Sequence, residues 1–195
     1  MSQKKPAVFL DRDGTICQEV GYLRKIEDLK LIDRSIQAIQ KINQHKWLTI
    51  IVSNQSGVAR GYMDEETVEE INIELEKLLK KHQARIDGIY YCPHHPQGNP
   101  PYRMNCSCRK PSPGMILRAT KEFNIDLNHS VIMGDKYTDI LTAHKLNIPG
   151  ILILTGYGKE EYQKHKDKWE KSPYYIANNL YEAVEWWFKK VSFEK

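Results

Sequence analysis

The chain has 195 residues, a length typical of one domain. Its 41% hydrophobic and 28% charged residues are close to globular averages, which argues against a disordered, collagen-like or disulfide-scaffold protein. A net charge of +4 falls short of the concentrated basic face of a nucleic-acid binder, and no apolar run approaches the ~18 residues of a membrane span. We therefore expect one domain over residues 1–195, a monomer in the cytoplasm, with no nucleic-acid or membrane partner.

Short apolar runs alternate with segments of helical periodicity along the whole chain. The apolar runs predict six strands, at residues 7–10, 47–52, 86–91, 131–133, 151–154 and 174–177, the last at an edge. Helices are predicted after a cap at Asp33, over residues 64–83, from a cap at Ser112 to residue 123, and over residues 138–146, 159–168 and 180–191. This order is typical of α/β proteins with a Rossmann-like, three-layer parallel sheet that binds ligands at the carboxyl ends of its strands.

Polar side chains follow three of the predicted strands. Asp11 and Asp13 come after the first strand, Ser53 to Gly57 after the second, and Gly134-Asp135-Lys136 after the fourth. Because the carboxyl ends of parallel strands share one edge of the sheet, we expect these groups to converge. Clustered carboxylates with few histidines favour Mg²⁺, and a metal beside a carboxylate nucleophile and a second carboxyl suits phosphoryl transfer.

The same residues carry a family resemblance over nearly the whole chain. Asp11-Arg12-Asp13-Gly14-Thr15, Ser53-Asn54-Gln55, Lys110 and Gly134-Asp135-Lys136-Tyr137-Thr138-Asp139 resemble, in order, the four motifs of haloacid-dehalogenase-type phosphatases. The resemblance implies the haloacid-dehalogenase fold, an aspartyl-phosphate intermediate and bound Mg²⁺. Only about ten residues separate Thr15 from Lys25, so no large cap domain is expected.

The resemblance also implies a role for each motif residue. Asp11 would be the nucleophile and Asp13 the general acid and base. The Asp11 and Asp135 carboxylates, with the backbone carbonyl of Asp13, would hold Mg²⁺. Ser53 and Lys110 would bind the transferring phosphoryl group. Asp139 would lie outside these ligands and orient Lys136 or a metal-bound water.

An irregular loop over residues 92–108 contains three of the four cysteines. Cys92, His94, Cys106 and Cys108 form the Cys₃His donor set of a closed structural zinc site, although His95 could replace His94. Disulfide pairing is the alternative, disfavoured in a reducing compartment. Since the loop leads directly into Arg109 and Lys110, we hypothesise that zinc positions these two cations over the carboxylates. The fourth cysteine, Cys17, is expected to be an unreactive thiol near the site.

Within the superfamily, the cysteine loop followed by Arg109-Lys110-Pro111 resembles phosphatases that act on heptose 1,7-bisphosphate or on histidinol phosphate. Gly21-Tyr22-Leu23 and the extended Ser53 to Gly61 segment favour the heptose branch. That branch implies removal of the 7-phosphate of a sugar bisphosphate, on the route to the nucleotide-activated heptose of lipopolysaccharide, with Arg109 binding the second phosphate. The implied substrate contacts are Glu19, Val20, Gly21, Tyr22, Ser53, Asn54, Gln55, Ser56, Arg109, Lys110 and Lys136.

Several alternatives remain open at the level of sequence. A histidinol phosphatase would need a pocket for a cationic amine, and a nucleic-acid 3′-phosphatase would need a basic, aromatic groove. A non-catalytic zinc-binding module would have no use for Asp11, Asp13, Lys110 and Asp135. Arg60 could bind phosphate or only solvate its loop, whereas Tyr157 is expected at the surface.

Overall fold

The computed structural model describes residues 4–193 and contains one six-stranded, all-parallel sheet. The strands are β1 (Ala7–Leu10), β2 (Leu48–Asn54), β3 (Gly88–Cys92), β4 (Val131–Gly134), β5 (Gly150–Ile153) and β6 (Tyr175–Ala177). The helices are α1 (Ser35–Gln44), α2 (Ser56–Ala59), α3 (Glu65–Lys81), α4 (Gly114–Phe123), α5 (Tyr137–Lys145), α6 (Gly158–His165) and α7 (Leu180–Phe193). The six predicted strands and six predicted helices are all present, and the short α2 is an addition.

The sheet separates two hydrophobic cores, which makes three layers. Alternate residues of β1 divide between them: Val8 and Leu10 pack under α1, α3 and α7, whereas Ala7 and Phe9 pack under α4 and α5. Every residue of β1 is buried, as expected for a central strand covered on both faces. The predicted Rossmann-like α/β architecture is therefore confirmed.

The strand order β3-β2-β1-β4-β5-β6 places the switch point of the sheet between β1 and β4. The chain leaves β1 towards β2 on one side and leaves β4 towards β5 on the other. Val8 is in register with Val131, and Leu10 with Met133, so Asp11 and Asp135 leave neighbouring strands at the same edge. A crevice at this point is where open α/β sheets bind ligands.

Two predicted helix caps are wrong. The residue before α1 is Arg34 with φ 61°, and no side chain caps the helix, so Asp33 does not fill that role. The residue before α4 is Pro113, again without a side-chain cap, so the helix begins at Gly114 and not after Ser112. By contrast, Asp64 caps α3 by accepting from the backbone N–H of Thr67.

Residues 11–34, between β1 and α1, form a loop with a single 3-10 turn, Ile26–Asp28, and contain no inserted cap domain. Within residues 4–193, no helix is both long enough and apolar enough to cross a membrane.

Candidate active site

Three buried carboxylates meet at the carboxyl ends of β1 and β4. Asp11 follows β1, Asp135 follows β4, and Asp139 lies in the first turn of α5. One carboxylate oxygen from each lies within 4.8 Å of the others. Asp11 and Asp135 therefore lie close together, as predicted. Asp139 was expected outside the metal ligands, but its carboxylate lies within the same cluster.

Lys110 reaches this cluster from the end of the cysteine loop. Its Nζ lies 3.0 Å from Asp11 Oδ1, 2.6 Å from Asp139 Oδ1 and 2.7 Å from the carbonyl oxygen of Val52. The Asn54 side chain fixes the Lys110 backbone by accepting from its N–H at 3.0 Å and donating to its carbonyl at 3.1 Å. A fully buried ammonium is thus held against two carboxylates with no side-chain freedom left.

Opposing effects act on the acidities in this cluster. Burial would raise the pKa of Asp11, but the charges of Lys110 and Lys136 lower it below its usual value. Burial and the neighbouring charge of Asp11 raise the pKa of Asp135 to about 8. The cluster therefore holds Asp11 ionised, as a nucleophile requires, and leaves Asp135 short of positive charge.

The surroundings of Asp135 fit a divalent cation. Its Oδ1 atom is buried and accepts no hydrogen bond from the residues that the structure describes. The cluster of Asp11, Asp135 and Asp139 faces the two cations Lys110 and Lys136, which leaves one negative charge uncompensated when all are ionised. Oxygen donors with a net charge of this sign are the environment that Mg²⁺ prefers.

The backbone at Gly14 allows the close approach that this cluster needs. Gly14 has φ +84°, and a side chain at this position would collide with the Asp135 carboxylate. The predicted turn after Asp13 therefore has two requirements that only glycine meets, a left-handed backbone and an absent Cβ.

The Asp13 carboxylate is oriented separately from the cluster. Arg12 binds it through two parallel bonds, from Nε to Oδ1 at 3.1 Å and from Nη2 to Oδ2 at 2.9 Å. Gln55 Nε2 also donates to Asp13 Oδ2, at 2.7 Å, and to Ser53 Oγ, at 2.8 Å. Because Ser53 Oγ accepts this bond, its own proton is free to be donated to a phosphoryl oxygen.

A cavity of about 210 Å³ opens above these groups. Most of the predicted substrate contacts line it, together with Leu23 and Tyr157: Asp13, Glu19, Gly21, Tyr22, Asn54, Gln55, Ser56 and Lys136. Lys136 Nζ pairs with Glu19 at 3.0 Å and lies 4.9 Å from the centroid of the Tyr157 ring. The Tyr157 side chain is 38% exposed, as expected at the surface, but Tyr157 also belongs to the site, since its backbone N–H donates to Asp135 Oδ2 at 2.8 Å.

Four predicted substrate contacts lie outside the lining of this cavity. Ser53 and Lys110 are buried beneath its floor. Val20 is 47% exposed, and Arg109 lines a neighbouring crevice beside Lys110 and Cys106. Arg109 Nη1 donates to the carbonyl of His94 at 3.2 Å, so its guanidinium is attached to the cysteine loop.

The cysteine loop brings four metal-ligand side chains together, as predicted. The Cys108 sulfur lies 3.0 Å from the sulfurs of both Cys92 and Cys106, and His94 Nδ1 lies 3.4 Å from Cys108. These sulfurs are unbonded, because a disulfide would hold two of them at about 2.05 Å. Three sulfurs and one nitrogen in this arrangement match the donor set of a structural zinc site.

His95 points to a different partner. Its Nε2 lies 3.3 Å from Nη2 of Arg60, and its Nδ1 accepts from the backbone N–H of Gln97. Of the two candidate histidines, His94 is therefore the one in the cluster. Burial raises the pKa of the remaining thiol, Cys17, which agrees with its expected lack of reactivity.

The fold and the site define a haloacid-dehalogenase-like hydrolase, and comparison with known proteins agrees. Residues 107–183 match the HAD-hydrolase-like family model. The chain is 44% identical over 153 residues, 78% of its length and 83% of the relative's, to a D-glycero-beta-D-manno-heptose-1,7-bisphosphate 7-phosphatase of Pasteurella multocida. A relative from Thermosynechococcus vestitus, called D-glycero-D-manno-heptose-1,7-bisphosphate 7-phosphatase, is 40% identical over 93% of this chain and 95% of its own.

A solved structure agrees with these relatives. The D,D-heptose 1,7-bisphosphate phosphatase of B. bronchiseptica, crystallised with magnesium and phosphate, superposes with a TM-score of 0.84 at 26% identity. The match covers 95% of this chain and 99% of that one. The chain belongs to the family of heptose-1,7-bisphosphate 7-phosphatases.

Proposed function

We propose that this protein is a Mg²⁺-dependent phosphatase that removes the 7-phosphate of D-glycero-D-manno-heptose 1,7-bisphosphate. The observation that carries the proposal is the buried Asp11–Lys110–Asp139 arrangement beside Asp135 at the sheet's switch point. The names of the relatives supply the sugar and the position of the phosphate. By the sequence resemblance, the proposed setting of this reaction is activated-heptose and lipopolysaccharide synthesis.

The reaction would proceed through two successive displacements at phosphorus. An Asp11 oxygen attacks phosphorus, the bond from phosphorus to the sugar oxygen breaks, and that oxygen takes a proton from Asp13. Water then attacks the aspartyl phosphate and gives a proton to Asp13, which releases phosphate and restores Asp11. The Asp11 and Asp135 carboxylates with the Asp13 carbonyl would hold Mg²⁺, which when bound offsets negative charge on the phosphoryl oxygens.

Ser53 and Lys110 would bind the phosphoryl group during both displacements. The Lys110 ammonium touches Asp11 itself, so it lies where negative charge on the equatorial oxygens increases. The Ser53 hydroxyl keeps a free proton because Gln55 donates to its oxygen. Lys110 would bind the phosphoryl group by giving up one of its three present contacts.

The second phosphate of the substrate would lie near Arg109, in the crevice next to the cavity lined by Glu19 to Tyr22 and Asn54 to Ser56, with Lys136 on the cavity side. Among the described residues no carboxylate forms an ion pair with Arg109, and this cation favours an anionic substrate over histidinol phosphate, whose amine is cationic. Glu19 is already neutralised by Lys136. Histidinol phosphatase therefore remains the second candidate, and the substrate panel below separates the two.

We further propose that Cys92, His94, Cys106 and Cys108 hold a structural zinc ion, which fixes the loop that carries Arg109 and Lys110. The supporting observations are the clustered donors and the Arg109 bond to the His94 carbonyl. Removal of zinc with Mg²⁺ kept saturating should lower turnover. Unchanged turnover in zinc-free protein would show that zinc does not position these cations.

The chain is further proposed to act as one catalytic domain and as a monomer, because all its described strands belong to a single sheet that is covered on both faces. Light scattering should return about the 22.8 kDa mass of one chain. A mass of twice that value would refute the monomer.

The test of the activity is phosphate release with Mg²⁺ from both anomers of heptose 1,7-bisphosphate, from histidinol phosphate and from a 3′-phosphorylated oligonucleotide. We expect turnover of one or both heptose anomers, its loss in Asp11→Asn, and its retention in Glu70→Gln, which removes an exposed carboxylate from α3. A preference for histidinol phosphate would refute the proposed substrate but leave the proposed phosphatase mechanism standing. No phosphate release from any of the four substrates would favour a non-catalytic binding module.

A further inference from the structure

Arg12 lies between the two aspartates of the first motif, and its side chain is almost completely enclosed. It is 1% exposed, and its guanidinium connects two groups. Nε and Nη2 bind both oxygens of Asp13, whereas Nη1 donates to Oδ1 of Asn72 at 2.8 Å. A buried guanidinium that binds a carboxylate through two parallel bonds fixes the plane of that carboxylate.

Asn72 is the unusual member of this chain of contacts. It lies on α3, is 8% exposed, and occupies the buried face of the helix beside Val68, Ile71 and Leu75. An asparagine there lowers helix propensity and must be hydrogen-bonded to be buried without cost. Its partner is Arg12, and it does not line the substrate cavity. Among the described residues, the hydrogen bond that connects Asn72 to the site runs through Arg12.

The two oxygens of Asp13 are not equivalent in this arrangement. Oδ2 accepts from both Arg12 and Gln55, whereas Oδ1 accepts from Arg12 alone. Oδ1 thus keeps a lone pair for a proton, while Oδ2 is occupied by two donors. The Gln55 bond makes the two oxygens different, and the guanidinium fixes the plane in which Oδ1 presents its lone pair.

We propose that Asn72 is a positioning residue that acts through Arg12 to present Oδ1 of Asp13 as the atom of proton transfer. The inference rests on the proposed phosphatase function. In the first displacement, the proton on Oδ1 moves to the sugar oxygen as its bond to phosphorus breaks. In the second, Oδ1 takes a proton from the attacking water, so Asp13 ends as it began.

The test compares two esters whose leaving groups differ in their need for a proton. The sugar oxygen of heptose bisphosphate must be protonated as it leaves, whereas the phenolate of p-nitrophenyl phosphate leaves without a proton. The ratio of kcat/KM for the two esters reports proton donation, since kcat/KM covers only the steps up to the phosphoenzyme. Loss of folding or of Mg²⁺ binding would lower both values alike.

Three variants make the comparison sharp. Asn72→Leu removes the acceptor at similar volume, and Asn72→Asp keeps an oxygen acceptor at the same place. Asn43→Leu is the control, because Asn43 accepts from the Arg85 backbone N–H at the opposite end of the sheet. Unfolding midpoints and Mg²⁺ affinity are measured for all three.

We expect Asn72→Leu to lower kcat/KM for the bisphosphate about 10-fold, a part of the 10²- to 10⁴-fold that general acid–base catalysis provides, and to change the aryl ester less than about twofold. Asn72→Asp should restore the bisphosphate value to within about threefold, and Asn43→Leu should leave the ratio unchanged. An equal fall for both esters, or no rescue by Asn72→Asp, would overturn the inference. Absence of turnover in the unmodified protein would instead overturn the proposed function.

Discussion

The Lys110 ammonium lies 2.6 Å from Oδ1 of Asp139, closer than it lies to Asp11. Both residues are buried, so salt screens this pair much less than a surface pair. Asp139 also accepts from the backbone N–H of Lys136 through its Oδ2 atom. One carboxylate therefore holds the position of two cationic residues.

Replacement of Asp139 by asparagine should show how much the reaction depends on the charge that holds Lys110 in place. Asp139→Asn keeps the size of the side chain but loses the charge beside Lys110. We expect kcat to fall about 10- to 100-fold, as is typical when a partner of a catalytic or metal-binding group is changed. Steady-state kinetics at saturating Mg²⁺ check this. Asp126→Asn, which removes an exposed partner of His129, is the control, and equal effects of the two changes would contradict the prediction.

The two adjacent histidines of the loop should differ in zinc binding. His94→Ala removes a ring nitrogen that lies 3.4 Å from Cys108, whereas His95→Ala removes a ring whose partners are Arg60 and Gln97. We expect about one zinc ion per chain in the unmodified protein and in His95→Ala, and clearly less in His94→Ala. Metal analysis after gel filtration measures this, and full zinc content in His94→Ala would refute the assignment.

Two glycines with similar φ angles allow the effect of backbone strain to be separated from the effect of a steric clash with Asp135. Gly14 and Gly21 have φ of +84° and +79°, but only a side chain at Gly14 would meet Asp135, since nothing lies within 4 Å of the corresponding position at Gly21. Alanine should cost about 1–2 kcal/mol of strain at either site. Gly14→Ala should additionally weaken Mg²⁺ binding, measured by titration calorimetry. Equal Mg²⁺ affinity in the two variants would contradict the prediction.

The stability of Mg²⁺-free, zinc-loaded protein should fall as pH rises from about 4 towards about 8. The pKa of Asp135 is raised to about 8 in the folded protein, so folding favours its protonated form. This contribution is complete below the unfolded pKa of about 3.9 and is lost as pH rises through the folded pKa. Mg²⁺ should reverse the loss, because it binds the ionised carboxylate.

Urea unfolding at several pH values, with and without Mg²⁺, measures this effect. Burial and the charges of Arg109 and Arg60 lower the pKa of His95, which works in the opposite direction near pH 6. Asp135→Asn is therefore the comparison, since it retains His95 and should flatten the decline. A decline of equal size in that variant would show that Asp135 is not its cause.

The sequence predicted the elements that hydrophobic periodicity specifies, because periodicity reports which face of an element is buried. It failed at the caps of α1 and α4, where the backbone turns without help from Asp33 or Ser112. At these starts the Ser35 N–H donates to the Ile32 carbonyl and the Gly114 N–H to the Ser107 carbonyl, so main-chain acceptors take the place of a side-chain cap. Residue type alone does not reveal such acceptors.

The motif residues were predictable because their strands end at one edge of one sheet. The role of Asn72 was not, since its contact with Arg12 spans sixty positions and depends on how α3 packs. Tyr157 was missed for a related reason: its backbone N–H, not its side chain, meets Asp135. The spacing of the donors also left His94 and His95 undecided until the loop geometry separated them.

The two hydrogen bonds between the Asn54 side chain and the Lys110 backbone resemble one rung of a β-ladder, supplied by a side chain. They attach the exit of the cysteine loop to the end of β2. The length of chain before that exit is consequently not constrained by the position of the lysine. Insertions or deletions around residues 96–104 would change the crevice that Pro96 and Met104 line beside Arg109, while the lysine stays in place.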